Sequence, residues 1–216
     1  MMAKMLCGVF CIVALTACTG GQTPDDTEST DSEAGEPSPE GTTLAAVKQA
    51  TTKFQDVSVA EAEGYIQDPT GHCVDAKMVG APEALGGMGV HYLRPDLLGV
   101  AMPPAPGRIT GDDAVFDPSR PEILVYEPQA DRSMQLVAVE YIVFEKAWRE
   151  AGNSTPPSFA GTTFATMTDD PATELDEAHG FEPHHELHVW LYRDNANGMY
   201  AEFNPAVTCA HAGHAG

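Results

Sequence analysis

Basic residues are scarce in this chain. Lys and Arg number 11 against 32 Asp and Glu in 216 residues, a formal net charge of −21. Nucleic acid and anionic lipid head groups both demand a basic footprint, so neither is an expected partner. Apolar runs long enough to cross a bilayer are missing as well: the stretch that opens at Met5 fades after about a dozen residues, too few for a hydrocarbon core of ~30 Å. The marks of familiar catalysis are also lacking. There is no G-x-S-x-G elbow, and H-E-x-x-H fails because Glu186 stands two residues after His184 rather than one, while His185 lies too close to His188. The glycine-rich passage GGMGVHYLRPDLLG has neither the strand before it nor the helix after it that a nucleotide-binding loop needs.

What is present begins with export. A single Lys4 precedes the apolar run Met5 to Ala14, and Leu15, Thr16 and Ala17 lead into Cys18, the shape of a signal region ending in small residues. The tetrapeptide LTAC resembles the lipobox of bacterial lipoprotein signal peptides. That resemblance covers the first eighteen residues only and implies removal of residues 1–17 and acylation of Cys18, with the chain anchored to the membrane outside the cytoplasm. The alternative is an ordinary secretory signal with an incidental cysteine. Residues 18–42 carry seven acids, no base and no large apolar side chain, and read as a disordered acidic tether. Without the tether's acids and Lys4, the remaining 43–216 holds 25 acidic and 10 basic residues, a net −15. This is one domain's length, with no visible repeat.

If Cys7 and Cys11 leave with the signal and Cys18 takes lipid, Cys73 and Cys209 are the pair that remains, and outside the cytoplasm they are expected to be bridged. The rival reading makes them two thiols of a metal site, although neither has a second cysteine near it. No thiol is then spare for nucleophilic work.

Within the domain, Thr43 is placed to cap a helix with Leu44, Val47, Thr51 and Phe54 at helical spacing. Ser58 and Glu61 have capping-box spacing for a second helix ending near Gly64. The glycine-rich passage reads as a tight backbone feature presenting His91 and Tyr92, and Ala101 to Pro121 as a loop. Strands follow over 122–126 and 134–144, joined by a hairpin, and Phe144 to Ala151 continues as a helix closed by Gly152. Residues 153–182 are mostly irregular. In 186–192 Leu187, Val189 and Leu191 alternate with Glu186, His188, Trp190 and Tyr192, the period of a half-buried strand, and 194–198 reads as a loop returning through Met199 to Phe203. The fold class expected is α+β: a small, mainly antiparallel sheet with the N-terminal helices on one face and long loops on the other. The phrases GMGVHY, PEILVYEP, LVAVEYIV, LHVWLY and FNPAVTC together resemble a family of exported bacterial proteins of unknown function. The likeness implies a single extracytoplasmic domain and carries no catalytic residue with it.

The strand faces suggest a site. If 134–144 and 186–192 share a sheet with their aliphatic faces on one core, Glu140 and His188 project from the opposite side. His91 closes over that side from the glycine-rich passage, and His184 or His185 contributes from the strand's start. Two imidazoles and a carboxylate suit a divalent ion such as zinc, or copper with Met88 and Met102 nearby. The bland reading is hydrogen-bonded or exposed histidines and gap-filling methionines. Tyr92, Trp190 and Tyr192 are candidates to line a ligand groove beside His188, or else they pack under a helix or loop. The tail CAHAGHAG, with His211 and His214, reads as a frayed terminus rather than an ion-capturing arm. The function expected is a non-enzymatic, membrane-anchored domain that binds a small ligand or a metal ion. The alternatives are a metal-dependent hydrolase at the same place and an interaction module, which would show a contiguous apolar patch.

Overall fold

The structure, a computed structural model, describes residues 42–101, 108–173 and 176–213. The signal region, the tether with Cys18, Met102 and His214 lie outside them.

The Thr43 hydroxyl accepts the amide of Ala46 at 3.3 Å and opens helix α1, Leu44–Thr51, which tightens into a 3-10 turn over Thr52–Gln55. The two segments bury Val47 and Phe54 on one side. Helix α2, Val57–Ala62, starts earlier than the spacing of Ser58 and Glu61 implies. Asp56 is its cap: the Asp56 carboxylate accepts both the amide and the hydroxyl of Ser58, so that hydroxyl is already committed as a donor. Next come β1, Ile66–Gln67; β2, Cys73–Asp75; β3, Gly87–Leu93; and the single turn α3, Pro95–Leu98. The pair β4, Ile123–Pro128, and β5, Met134–Phe144, forms a hairpin that runs into α4, Glu145–Glu150. Two short strands, β6, Ser158–Phe159, and β7, Thr162–Thr163, make their own hairpin before β8, Ala165–Met167, and β9, His184–Val189.

Seven strands form one antiparallel sheet in the order β1-β3-β4-β5-β9-β8, with β2 also paired to β3. The fold is α+β. Helices α1 and α2 cover one face, where Val47, Phe54 and Ala60 pack on Leu124, Tyr126, Val139, Tyr141 and Leu187. Connecting segments cover the other, bringing Leu98, Phe181 and Val207 onto Val125, Ala138, Ile142 and Trp190. Both faces are therefore closed to water, and all six residues of β9 are buried. The half-buried strand expected from its alternation is a fully buried one.

Two further expectations are corrected. The glycine-rich passage, read as a tight backbone feature, is in its first half a sheet strand, β3. Its glycines are there because other backbones press against it: Gly89 has φ 121° and a Cβ would lie 2.6 Å from the Tyr126 carbonyl, while at Gly86, with φ 87°, one would lie 2.1 Å from that of Asn204. Met199 to Phe203 does not return as a strand. The Asn195 and Asn197 side chains donate to the Phe203 carbonyl and the Trp190 indole donates to that of Ala201, so these carbonyls serve the loop, and β8 flanks β9 instead.

Cys73 and Cys209 are bridged, with their Cα atoms 5.6 Å apart across a separation of 136 residues. A closed loop of this length restricts the unfolded chain by up to about 5 kcal/mol in the entropic account. Replacing both cysteines by alanine is expected to lower the free energy of unfolding by about 2–5 kcal/mol, read from urea titration; a change under about 1 kcal/mol would contradict the restraint.

Candidate metal centre

Strand pairing sets up the site. Glu140 of β5 and His188 of β9 are directly opposed, and residues two apart on a strand share a face, so His184, Glu186 and His188 form one row. The row lies on the loop-covered face of the sheet. His91 comes from β3, which is separated from β5 by β4. Its imidazole Nε2 reaches to 3.4 Å from Glu140 Oε2, and His188 Nε2 lies at the same distance from the same oxygen. The donor atoms of His91, Glu140 and His188 all lie within 4.8 Å of one another.

The two 3.4 Å separations match those between ligands of one ion. Two donors on a tetrahedral zinc, at about 2.0–2.1 Å each, stand about 3.3 Å apart. Glu140 Oε2 and His188 Nε2 are buried and have no hydrogen-bond partner among the described residues. Buried polar atoms are nearly always satisfied, and two such atoms facing one another mark a place that a further group would complete. His91, Glu140 and His188 could hold an ion there.

Burial governs the electrostatics. It pushes the His91 imidazole down to about 3, with the neighbouring His188 adding to the effect, and it also lowers His188. It raises Glu140 well above the carboxylate range, reinforced by the negative charge of Glu186. Glu186 goes the other way. Burial alone would raise it, but a hydrogen bond from His184 and the charges of His188, His184 and His179 bring it down to about 2. Glu186 Oε2 lies 3.2 Å from His184 Nε2, whose Nδ1 donates to the Glu182 carbonyl at 2.9 Å.

A cavity of about 420 Å³ lies over the centre, lined by His91, Glu140, Glu186 and His188 together with Asp68, His72, Met78, Met88, Asp176 and His179. The remaining candidates fall elsewhere. His184 shares the row but is spent on Glu182 and Glu186. His185, of opposite parity, points away and meets the Thr166 hydroxyl at 2.9 Å. Tyr92 packs edge-on to Tyr126 on the helix side, and the Tyr192 hydroxyl donates to the Lys48 carbonyl of α1, so neither lines a groove with His188. Trp190 stacks beside His188 with ring centroids 6.4 Å apart, but does not line the cavity. Sequence reasoning missed Glu186 and His179 as site residues. The spacing of Glu186 from His188 carried the first; nothing in the pattern announced His179, which sits in a turn with φ 51°.

Two imidazoles and a carboxylate are a donor set that suits zinc or a neighbouring first-row ion, and all three line the cavity. Both oxygens of Glu186 face imidazoles, at 3.2 Å from His184 and 3.7 Å from His188. No protein-family model, curated protein or solved structure matches the chain.

The raised carboxyl gives a pH test. Burial raises the Glu140 carboxyl and lowers both imidazoles, so the proton an ion must displace in the metal-free protein is that of Glu140. Zinc uptake is expected to release close to one proton while Glu140 is protonated and to tighten as pH rises through the raised Glu140 range. Calorimetry in buffers of different ionisation enthalpy reads the proton count, and uptake without proton release in the ordinary carboxylate range would refute it.

Proposed function

We propose that this chain is an exported, lipid-anchored protein whose single domain binds a divalent transition ion, zinc or copper, through His91, Glu140 and His188 without turning over a substrate. The observation that carries the ion reading is the pair of buried, partnerless atoms, Glu140 Oε2 and His188 Nε2, held 3.4 Å apart. The export reading is supported by LTAC at Cys18 and by the Cys73 to Cys209 bridge, which belongs to an oxidising compartment. Among the described residues no helix is long and apolar enough to cross a membrane. Attachment through lipid on Cys18 is the membrane contact proposed, and Cys18→Ser is expected to move the protein from the membrane fraction to the soluble one.

A hydrolase at the same place is not favoured, since one oxygen of Glu186 is bonded to His184 and the other faces His188 Nδ1 at 3.7 Å. An interaction module finds little support: the exposed large apolar side chains among the described residues are Met78, Val115 and Met199.

The test is metal analysis of protein purified without a histidine tag. About one ion per chain is expected, with His188→Ala losing it, and an ion at a hundredfold excess over its Kd should stabilise the fold by about 2.7 kcal/mol. A metal-free protein whose melting ignores added zinc and copper would end the proposal.

A further inference from the structure

Glu186 and His184 have no role in the reading so far, although each is buried and lies on the same face as the ion ligands. We propose that Glu186, held from behind by His184, is a positioning residue that fixes His188 in the tautomer whose Nε2 lone pair faces Glu140 and the ion. The purpose rests on the ion-binding reading; the content rests on the placement of these side chains along the strand.

Five groups stand in line, from the Glu182 carbonyl just before β9 to Glu140 on β5. The Glu182 carbonyl is 2.9 Å from His184 Nδ1, and His184 Nε2 is 3.2 Å from Glu186 Oε2. Glu186 Oε1 is 3.7 Å from His188 Nδ1, and His188 Nε2 is 3.4 Å from Glu140 Oε2. A carbonyl oxygen can only accept, so His184 Nδ1 donates to it, and His184 Nε2 lies against Glu186 Oε2. This contact holds one Glu186 oxygen away from the ion ligands, although Glu186 reaches the same cavity. The second Glu186 oxygen is left for His188 Nδ1.

At 3.7 Å that last contact exceeds hydrogen-bond length. Glu186 Oε1 is nonetheless the carboxylate oxygen that faces Nδ1, on the side of the ring away from Glu140. Solvent is a poor substitute for the carboxylate, because His184, Glu186 and His188 are at most 5 % exposed. An acceptor behind the distal nitrogen is what fixes the tautomer and raises the basicity of a metal-binding histidine. The alternation of the strand supplies that acceptor two residues away on the same chain, so the support and the ligand move as one piece.

Nitrogen-15 NMR of the metal-free full chain reads the tautomer directly. His188 is expected to carry its proton on Nδ1 with Nε2 bare; a proton on Nε2 overturns the proposal without any variant being made. Glu186→Gln keeps the side chain's shape but offers only one acceptor. Its zinc affinity, by competition with a chromophoric chelator, is expected to fall about 10–100-fold, with the His188 resonances shifting toward mixed tautomers. A variant that melts earlier yet keeps wild-type affinity and the wild-type His188 resonances makes Glu186 merely structural and also overturns the proposal. Failure of the wild-type chain to take up zinc at all sinks the ion-binding reading instead, and the tautomer measurement separates the two failures.

Discussion

Closing the second face of the sheet is the constraint on which this molecule depends. Once Leu98, Phe181 and Val207 cover that face, the ionisable side chains of β5 and β9 on it are taken out of water. Glu140, His184, Glu186 and His188 are all 5 % exposed or less. Removing a charge from water costs several kcal/mol even after the protein relaxes, and a fold selected for stability alone fills such positions with aliphatic residues. Its own neighbours show the alternative, since Val125, Ala138 and Ile142 occupy the same face. His184 and Glu186 largely offset each other. Glu140 and His188 do not, because their facing atoms make no hydrogen bond. That uncompensated remainder is what distinguishes a site from a polar pocket.

The sheet order makes the arrangement possible. Glu140 and His188 are nearest neighbours across β5 and β9, so their approach follows from register alone. His91 must cross β4, where its Cα partner is Val125, itself opposite the small Ala138. The helix side contributes no ligand. It contributes a dense aromatic and aliphatic layer, with the Tyr126 and Tyr141 hydroxyls donating to the Phe54 and Pro118 carbonyls, and this anchors the strands from behind. A rigid central sheet carrying ligands on its less apolar face places donors more precisely than loops would.

Much of this was legible in the chain because alternation is a strong signal. The aliphatic residues at Leu187 and Val189 and at Val139 and Tyr141 assigned the faces of β9 and β5, and with them the common side of Glu140 and His188. The same rule argues against two other candidates. Tyr92 is adjacent to His91, and His185 to His184, so each must point to the opposite face. Tyr192 lies beyond the end of β9 at Val189, where strand parity no longer applies, and it turns to α1. What alternation could not supply was the cover. Nothing local in Ala178 to Phe181 or Ala206 to Val207 says that these segments fold over the sheet, so a strand patterned as half-buried became fully buried. The glycines of β3 misled for a related reason: they answer to Tyr126 and Asn204, distant in sequence, rather than to a turn.

The C-terminal segment ties stability to the site. Asn204 is fully buried; its backbone amide and carbonyl bond to Gly87, its side-chain amide donates to the Asp194 carbonyl, and its Oδ1 accepts from the Ala206 amide. From there the chain runs past Val207, whose carbonyl accepts a second bond from the Gly87 amide, to Thr208, whose amide bonds to the buried Glu127 carboxylate, and then to Cys209. The disulfide fastens this segment to β2, and β2 pairs with β3, the strand that carries His91. On either side of Cys73, His72 and Val74 line the cavity. One cross-link therefore closes a long loop and holds the wall from which His91 approaches Glu140. Energy placed in that link serves the fold and the ligand geometry together, so cutting it acts on the centre through β2 and β3 without touching a ligand.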